Sequence, residues 1–213
     1  MLPVLAGLVL LNATTRLTKT RQLPSRGVIG IIVKHPAAWK RSHHKVAPLD
    51  TPGTKYFYYF PPADASGPFG LLLFAPDSDG VLHDGDSYTG YMNTATDVSL
   101  EVGCATVVDL GEVRLITAIR AQTAYTPTEP VSTYVYASSN GTTWYAVSSL
   151  PPDNLRHPFL KPLRSRYIQF CARIVSVSAG QFVKTTEVSV YTDNSAAAVK
   201  TPVKVHKQRS GPR

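Results

Sequence analysis

Few residues in this chain have the types and spacing that could do chemistry. Asp84 and Asp86 flank a glycine in the stretch HDGDSYTG, and His43-His44 stands in the basic stretch KRSHHK. Glycoside hydrolysis needs two carboxyl groups across a cleft, so two carboxylates beside one glycine fit turn or metal chemistry better. The chain also lacks a GxSxG elbow, an HExxH motif, a P-loop and a CxxC pair. We therefore predict that the protein is not an enzyme.

The elements that must position these residues are predicted to be strands. The chain is 43% hydrophobic, with 17 prolines and 14 glycines, which favours one β-rich core with many turns. In YVYASSNGTTWYAV (134–147) the side chains alternate with the two-residue period of a strand, and Asn140-Gly141 predicts a tight two-residue hairpin turn. Similar runs predict strands near residues 98–109, 114–121, 131–138, 143–148, 166–175 and 185–191.

A series of short motifs in this region follows the order found in discoidin domains. The motifs are LHDGD (82–86), Thr89 with Tyr91, VVDLG (107–111), ITAIR (116–120), the Asn-Gly hairpin with Trp144, RYIQF (166–170) and EVSVY (187–191). Residues 78–192 therefore resemble a discoidin domain of the coagulation factor V/VIII type C family, which is similar to the galactose-binding modules of bacterial glycosidases. The resemblance implies an all-β fold, a jelly-roll β-sandwich of the galactose-binding type, here with extended N-terminal and C-terminal arms. It also implies that Trp144 packs against the sandwich.

The resemblance also suggests a metal site. In similar carbohydrate-binding modules the DGD loop holds a structural calcium together with a glutamate from the last strand. The matching positions here are Asp84, Asp86, Thr89 and Glu187, and Ca²⁺ takes about six to eight hard oxygen ligands of this kind. A plain turn with Asx-type hydrogen bonds explains Asp84 equally well, so both interpretations stay open.

The first functional hypothesis is a non-catalytic module that recognises glycan through loops such as 122–131 and 151–164. Sugar sites combine an aromatic surface with a few fixed polar groups. The loop candidates of these types are Tyr91, Tyr125, Arg156 and His157. Because glycan contacts vary within the family, the resemblance does not identify the ligand.

The distribution of charge suggests a second hypothesis. Residues 1–49 carry eight Lys/Arg and residues 196–213 carry five, with no acid in either segment. The middle of the chain carries all 14 carboxylates beside the other nine of 22 bases, so its formal charge is −5 and the two ends together carry +13. We therefore predict a basic, partly strand-forming extension (1–75), a discoidin-like sandwich (76–195) and a basic tail (196–213).

Basic ends on an acidic body usually contact something negative. We expect a structural component of a large assembly, most plausibly a virus particle, whose other subunits contact residues 1–49 and 196–213; nucleic acid is another partner for the tails. The alternative is a secreted carbohydrate-binding or adhesion module with no assembly role. Both place the protein in a virion or outside the cell.

Two further features concern the compartment. The apolar start MLPVLAGLVLLNA resembles part of a secretion signal but lacks the preceding basic residues, and it is too short to cross a bilayer. We predict no transmembrane segment. Cys104 and Cys171 both lie in strand-like runs; two buried thiols are expected, and a disulfide between them stays open.

Overall fold

The computed structural model describes residues 20–21, 28–33, 53–126, 131–152 and 154–192. These residues form ten strands and one 3₁₀ turn, Leu71–Leu73. The strands are β1 (Thr20–Arg21), β2 (Val28–Val33), β3 (Lys55–Tyr59), β4 (Ala75–Pro76), β5 (Gly90–Ala95), β6 (Ser99–Tyr125), β7 (Ser132–Ser138), β8 (Tyr145–Leu150), β9 (His157–Val177) and β10 (Phe182–Thr192). No helix within the described ranges is long and apolar enough to span a bilayer.

All strand pairs are antiparallel, and two long bent strands divide the sheet into two layers. The first layer has the order β1-β2-β5-β10, followed by residues 114–125 of β6 and 157–165 of β9. The second layer has the order β4-β3, followed by residues 99–109 of β6, residues 167–177 of β9, β7 and β8. The predicted strands 98–109 and 114–121 are thus two halves of β6.

The bend in both long strands is fixed by an ion pair. Gly111 takes a φ of 78°, and its N–H donates to the Asp109 carboxylate at 2.8 Å. Arg166, at the bend of β9, donates to both oxygens of Asp109 at 2.8 and 3.0 Å. The predicted strand 98–109 ends and the predicted strand 166–175 begins at this ion pair; instead both are parts of longer strands that change layer there.

The two layers pack face to face as a sandwich. The Sγ of Cys104 in β6 lies 3.0 Å from the carbonyl oxygen of Tyr91 in β5. The Tyr91 ring stacks on Tyr58 of β3 at a centroid distance of 3.8 Å. Between the layers lie aliphatic residues that include Val108, Ile116, Ile119, Val135, Ile168, Val183 and Val188. The predicted all-β sandwich is therefore confirmed.

Two strands of the predicted N-terminal extension belong to the sandwich. β2 pairs with β5 along its whole length, and β3 pairs with β6. Tyr56 and Phe60 lie in the core, and Gly30 of β2 packs so closely on Phe60 that a Cβ would overlap its ring. A sandwich limited to residues 76–195 would lack these strands. The remaining parts of residues 1–49, and the tail 196–213, lie outside the described residues.

The outer face of the second layer is covered by residues 61–74. Gln169, fully buried in β9, accepts a hydrogen bond from the N–H of Phe69 at 2.8 Å and donates one to its carbonyl at 2.9 Å. The hydroxyl of Tyr136 donates to the carbonyl of Gly67 at 3.1 Å. This segment is therefore hydrogen-bonded to the sheet that it crosses.

The hairpin turn is longer than predicted. β7 ends at Ser138 and β8 begins at Tyr145, so the expected two-residue turn is wrong. The Asn140 carboxamide oxygen accepts hydrogen bonds from the N–H groups of Thr142 and Thr143 at 3.0 and 2.9 Å. The hydroxyl oxygen of Ser138 accepts one from the N–H of Gly141. These side-chain bonds replace the strand ladder here. Trp144 is half-buried, edge-on to Tyr167 at 6.4 Å.

The two cysteines are buried and free. In the β6–β9 register Cys104 lies opposite Ala172 and Cys171 opposite Ala105, so the two thiols point to opposite faces of the sheet. A disulfide between them is excluded by this geometry. Burial raises the pKa of both thiols to about 12, which makes them poor nucleophiles.

Candidate functional site

The DGD loop lies between β4 and β5 and is organised by its own side chains. Asp84 accepts a hydrogen bond from the N–H of Asp86 at 2.8 Å, and Asp86 accepts one from the N–H of Tyr88 at 2.9 Å. Gly85 adopts a φ of 75° between them. The buried hydroxyl of Thr89 lies 3.0 Å from both carboxylate oxygens of Asp84. The Asx turns expected from the sequence are therefore present.

Glu187 brings a second carboxylate to this loop from β10. Its side chain is buried, with 5% of the residue exposed, and its Oε1 accepts from the N–H of Gly85 at 2.8 Å. Burial raises the pKa of Glu187, and the neighbouring negative charge of Asp84 raises it further, to about 8; the N–H of Gly85 and the charge of Arg120 act in the opposite direction. A site that holds two facing carboxylates is poised to take up a proton or a cation.

The four predicted calcium ligands are only partly brought together. Asp84, Thr89 and Glu187 converge, while the Asp86 carboxylate is turned toward the N–H of Tyr88. Within the described part of the chain, no three His, Cys, Asp or Glu side chains form a metal-binding group. The oxygens that do converge belong to Asp84, Thr89 and the buried Glu187, which faces Asp84. Hard oxygen donors of this kind are those that calcium prefers. The donor chemistry thus fits calcium, and the metal itself stays a proposal.

Asp77 holds the start of the loop and was not singled out from the sequence. Its carboxylate accepts from the N–H groups of Val81 and Leu82, each at 2.9 Å, and from the Tyr91 hydroxyl at 2.6 Å. Burial alone would raise the pKa of Asp77, but the His83 ring, whose Nδ1 lies 3.7 Å away, and the hydrogen bonds from these donors hold it below its ordinary value. The turn-forming stretch PDSDG (76–80) was the available signal.

The structure places Tyr91 in the core. It lies in β5 and is 1% exposed, with its ring on Tyr58 and its hydroxyl on Asp77. We predicted a loop residue with a ring available to sugar; this is wrong, because the strand following the DGD loop turns the side chain inward. Tyr125 is the last residue of β6 and packs half-buried against the core.

His157 is the first residue of β9 and pairs with Ile119, and Arg156 comes directly before the strand. Arg156 is exposed, and its guanidinium carbon lies 4.3 Å from the centroid of the Tyr191 ring. Tyr191 lies opposite Ala118 on the outer face of the first layer. The Arg156–Tyr191 pair is therefore the place where a predicted ligand residue meets an aromatic ring.

The loop between β8 and β9 is fastened to the same face through Asn154. Arg120 in β6 donates through Nε to the carbonyl of Asn154 and through Nη2 to Gln122, both at 2.9 Å. Asn154 takes a φ of 57° and accepts from the N–H of Thr123 at 2.9 Å. Because Ile119 points into the core, Arg120 points outward.

We call this surface the β6–β10 face. Its exposed and half-buried members are Arg120, Gln122, Asn154, Arg156 and Tyr191; Glu187 and Ser189 lie on the same side of the sheet but are buried. The DGD loop borders it at Glu187, and the loop between β8 and β9 borders it at Arg120. Sequence reasoning missed Arg120, Gln122 and Tyr191, because only the register of β10 against β6 puts Glu187 opposite Gln122 and Ser189 opposite Arg120.

The chain is similar in fold to solved carbohydrate-binding modules. One is CpGH89CBM32-6 produced by Clostridium perfringens, with a TM-score of 0.42 and 16% identity over 67% of this chain and 96% of that one. Another is the family 32 module from C. perfringens NanJ in complex with galactose, with a TM-score of 0.40 and 16% identity over 63% and 92% of the two chains.

A third is a pectin-binding carbohydrate-binding module, with a TM-score of 0.39 and 18% identity over 56% of this chain and 81% of that one. No family model and no curated protein matches the sequence. The predicted resemblance to a discoidin domain therefore stays a prediction.

Proposed function

We propose that this protein is a non-catalytic glycan-binding module that presents the β6–β10 face to a saccharide. The observation that carries the proposal is the exposed guanidinium of Arg156 lying 4.3 Å over the Tyr191 ring. Stacking fixes the plane of the guanidinium, so its N–H groups project sideways in set directions. Fixed donors beside an aromatic ring are what sugar hydroxyl groups need for oriented binding.

Neighbouring polar groups extend this site. Hydrogen bonds to Asn154 and Gln122 hold the guanidinium of Arg120 in place. A guanidinium has five N–H groups, so Arg120 has further N–H groups that can donate to a ligand. Asn154 is held by the N–H of Thr123. The face therefore offers donors whose positions are set before the ligand arrives, which lowers the entropy lost on binding.

We further propose that Asp84 and Glu187 hold a structural Ca²⁺, with Thr89 and Asp86 as additional oxygen donors. Two facing carboxylates, one of them buried, support this assignment. When bound, the cation would offset the repulsion between the carboxylates. The chain's own residues would then hold the DGD loop against β10 through the Gly85–Glu187 hydrogen bond.

Binding of the full-length chain to a broad glycan array, followed by calorimetry, tests the main proposal. We expect at least one saccharide to bind, and Arg156→Ala to weaken its binding about tenfold or more, since a charged hydrogen-bond donor is removed. Lys55→Ala is the matched control, because it removes one positive charge from β3 in the other layer. An array without any bound glycan, or an Arg156→Ala variant with unchanged affinity, would contradict the proposal.

The proposal follows the secreted or adhesion-type interpretation, with an extracellular location. A role in a virus particle and contact with nucleic acid depend on residues 1–49 and 196–213, which lie outside the described residues except for Thr20–Arg21 and Val28–Val33. Both stay predictions. Strong salt dependence of nucleic-acid binding that disappears when the five tail bases are replaced would support the second of them.

A further inference from the structure

Basic residues outnumber acids along the first half of β9. From Pro151 to Arg166 the sequence has four Lys/Arg and one carboxylate, Asp153. Arg166 forms an ion pair with Asp109 at the strand bend. Arg156, Lys161 and Arg164 are exposed, and none of the three forms an ion pair with another described residue. This edge of the first layer therefore carries positive charge that no described carboxylate offsets.

Two of these bases lie on the same outer face. Leu163 is opposite the core residue Ile116 and packs inward, so the next residue, Arg164, points outward. Arg156 also points outward, over Tyr191. Arg164 pairs with Leu115, and His157, the residue after Arg156, pairs with Ile119, so the two bases lie roughly 15 Å apart along β6. Lys161 lies between them, where β9 has extra residues relative to β6.

The stacked guanidinium of Arg156 suits an acidic ligand better than a neutral one. A planar guanidinium forms two parallel hydrogen bonds with a carboxylate, and such charge-assisted bonds are about twice as strong as neutral ones. A hydroxyl group presents one uncharged oxygen to the same donors, so its hydrogen bonds are weaker and lack the two-oxygen geometry. Stacking on Tyr191 also holds the guanidinium before the ligand arrives, so less side-chain entropy is lost.

We propose that the ligand class of this face is an acidic polysaccharide, whose sugar residues carry carboxylate groups, rather than a neutral saccharide. Arg156 binds one carboxylate in bidentate fashion, and Lys161 and Arg164 contact acidic groups further along the same chain. The separation of the bases requires an oligomer of several sugar residues. This inference rests on the proposed glycan-binding function and names its substrate class.

Polygalacturonate oligomers and the same oligomers after methyl esterification are the sharpest pair of probes, because esterification removes the negative charge and leaves the sugar backbone unchanged. Calorimetry on the full-length chain should show the acid form binding at least about tenfold more tightly than the ester. The affinity for the acid form should fall as salt rises, and oligomers should bind more tightly than the monosaccharide. Equal affinity for the two forms would overturn the inference while leaving glycan binding intact. No binding of any saccharide would remove the proposed function itself.

Variants in the full-length background separate this site from the basic tails, which all the variants share. Arg156→Ala should weaken acid-form binding about tenfold and ester binding less than threefold, and the Lys161→Ala/Arg164→Ala pair should reduce the salt dependence. Tyr191→Phe keeps the stacked ring and should bind normally, whereas Tyr191→Leu should not. Lys55→Ala should have no effect. Duplex DNA that binds as tightly as polygalacturonate, with the same loss in Arg156→Ala, would show a nonspecific polyanion surface and overturn the inference.

Discussion

At the scale of single residues, two buried carboxylates show how environment decides charge. Asp77 is surrounded by N–H and O–H donors, and its pKa is lowered because these bonds outweigh the effect of burial. Glu187 has the N–H of Gly85 but faces Asp84, and its pKa is raised by burial and by that negative charge. The first carboxylate is a structural anchor, and the second is an acceptor for a proton or a cation.

The metal-free protein should lose stability as pH rises, and Glu187→Gln should remove this effect. The pKa of Glu187 rises from an ordinary 4.5 to about 8 in the folded state, so the folded chain keeps a proton that the unfolded chain releases. The stability from this group is complete below about pH 4.5 and is lost as pH approaches 8. At pH 8.5 without metal, Glu187→Gln should therefore be more stable by about 1 kcal/mol or more.

Urea unfolding in EDTA across pH 5 to 8.5 measures this difference. Calcium should raise the Tm of the wild type, most strongly at the alkaline end where Glu187 is ionised, and should not raise the Tm of Glu187→Gln. A wild-type Tm that is the same in EDTA and in calcium would argue against the metal site. A flat stability profile in EDTA would argue against the raised pKa.

At the scale of elements, the segment 61–74 depends on one side chain of β9. Gln169 is fully buried, and its amide pairs with both backbone groups of Phe69. The Tyr59 ring also contacts Phe69 edge-on at 5.2 Å. Because a buried backbone group without a partner is costly, the amide of Gln169 fixes the path of this segment over the second layer.

Gln169→Met should destabilise the protein by about 2–4 kcal/mol. Methionine fills a similar volume but can neither donate nor accept the two bonds, so the N–H and C=O of Phe69 lose their partners. Denaturant unfolding gives the free energy, and hydrogen exchange at the amide of Phe69 reports the local loss of protection. A cost below about 0.5 kcal/mol with unchanged exchange would show that the segment is held by other contacts.

At the scale of the whole molecule, the sandwich extends beyond the region of resemblance. β2 completes one edge of the first layer, and β3 pairs with β6 in the second. Tyr56 and Phe60 lie in the core. We therefore predict that the folding unit begins before residue 53.

A chain limited to residues 76–195 should fail to fold, whereas residues 28–195 should unfold cooperatively with a Tm near that of the full-length protein. The shorter chain lacks β2 and β3, so β5 and β6 each lose a neighbouring strand and the core loses two large rings. Circular dichroism shows whether each of the two shortened chains folds, and calorimetric melting gives its Tm. Cooperative folding of 76–195 at a similar Tm would show that the N-terminal strands are accessory.

The sequence by itself determined the all-β class and the Asx turns of the DGD loop, because a two-residue period and Asp-Gly pairs act over neighbouring residues. The resemblance pointed to Glu187, 103 residues from Asp84, and the structure brings the two together.

Only the tertiary structure decided that Tyr91 is buried, that β6 is one bent strand, and that Arg120 and Tyr191 join Arg156 on one face. Periodicity shows which side chains of one strand share a face, but it does not show which strands are neighbours or in what register. Those depend on how the whole core packs, and the β6–β10 face exists only once β10 and β9 have paired with β6.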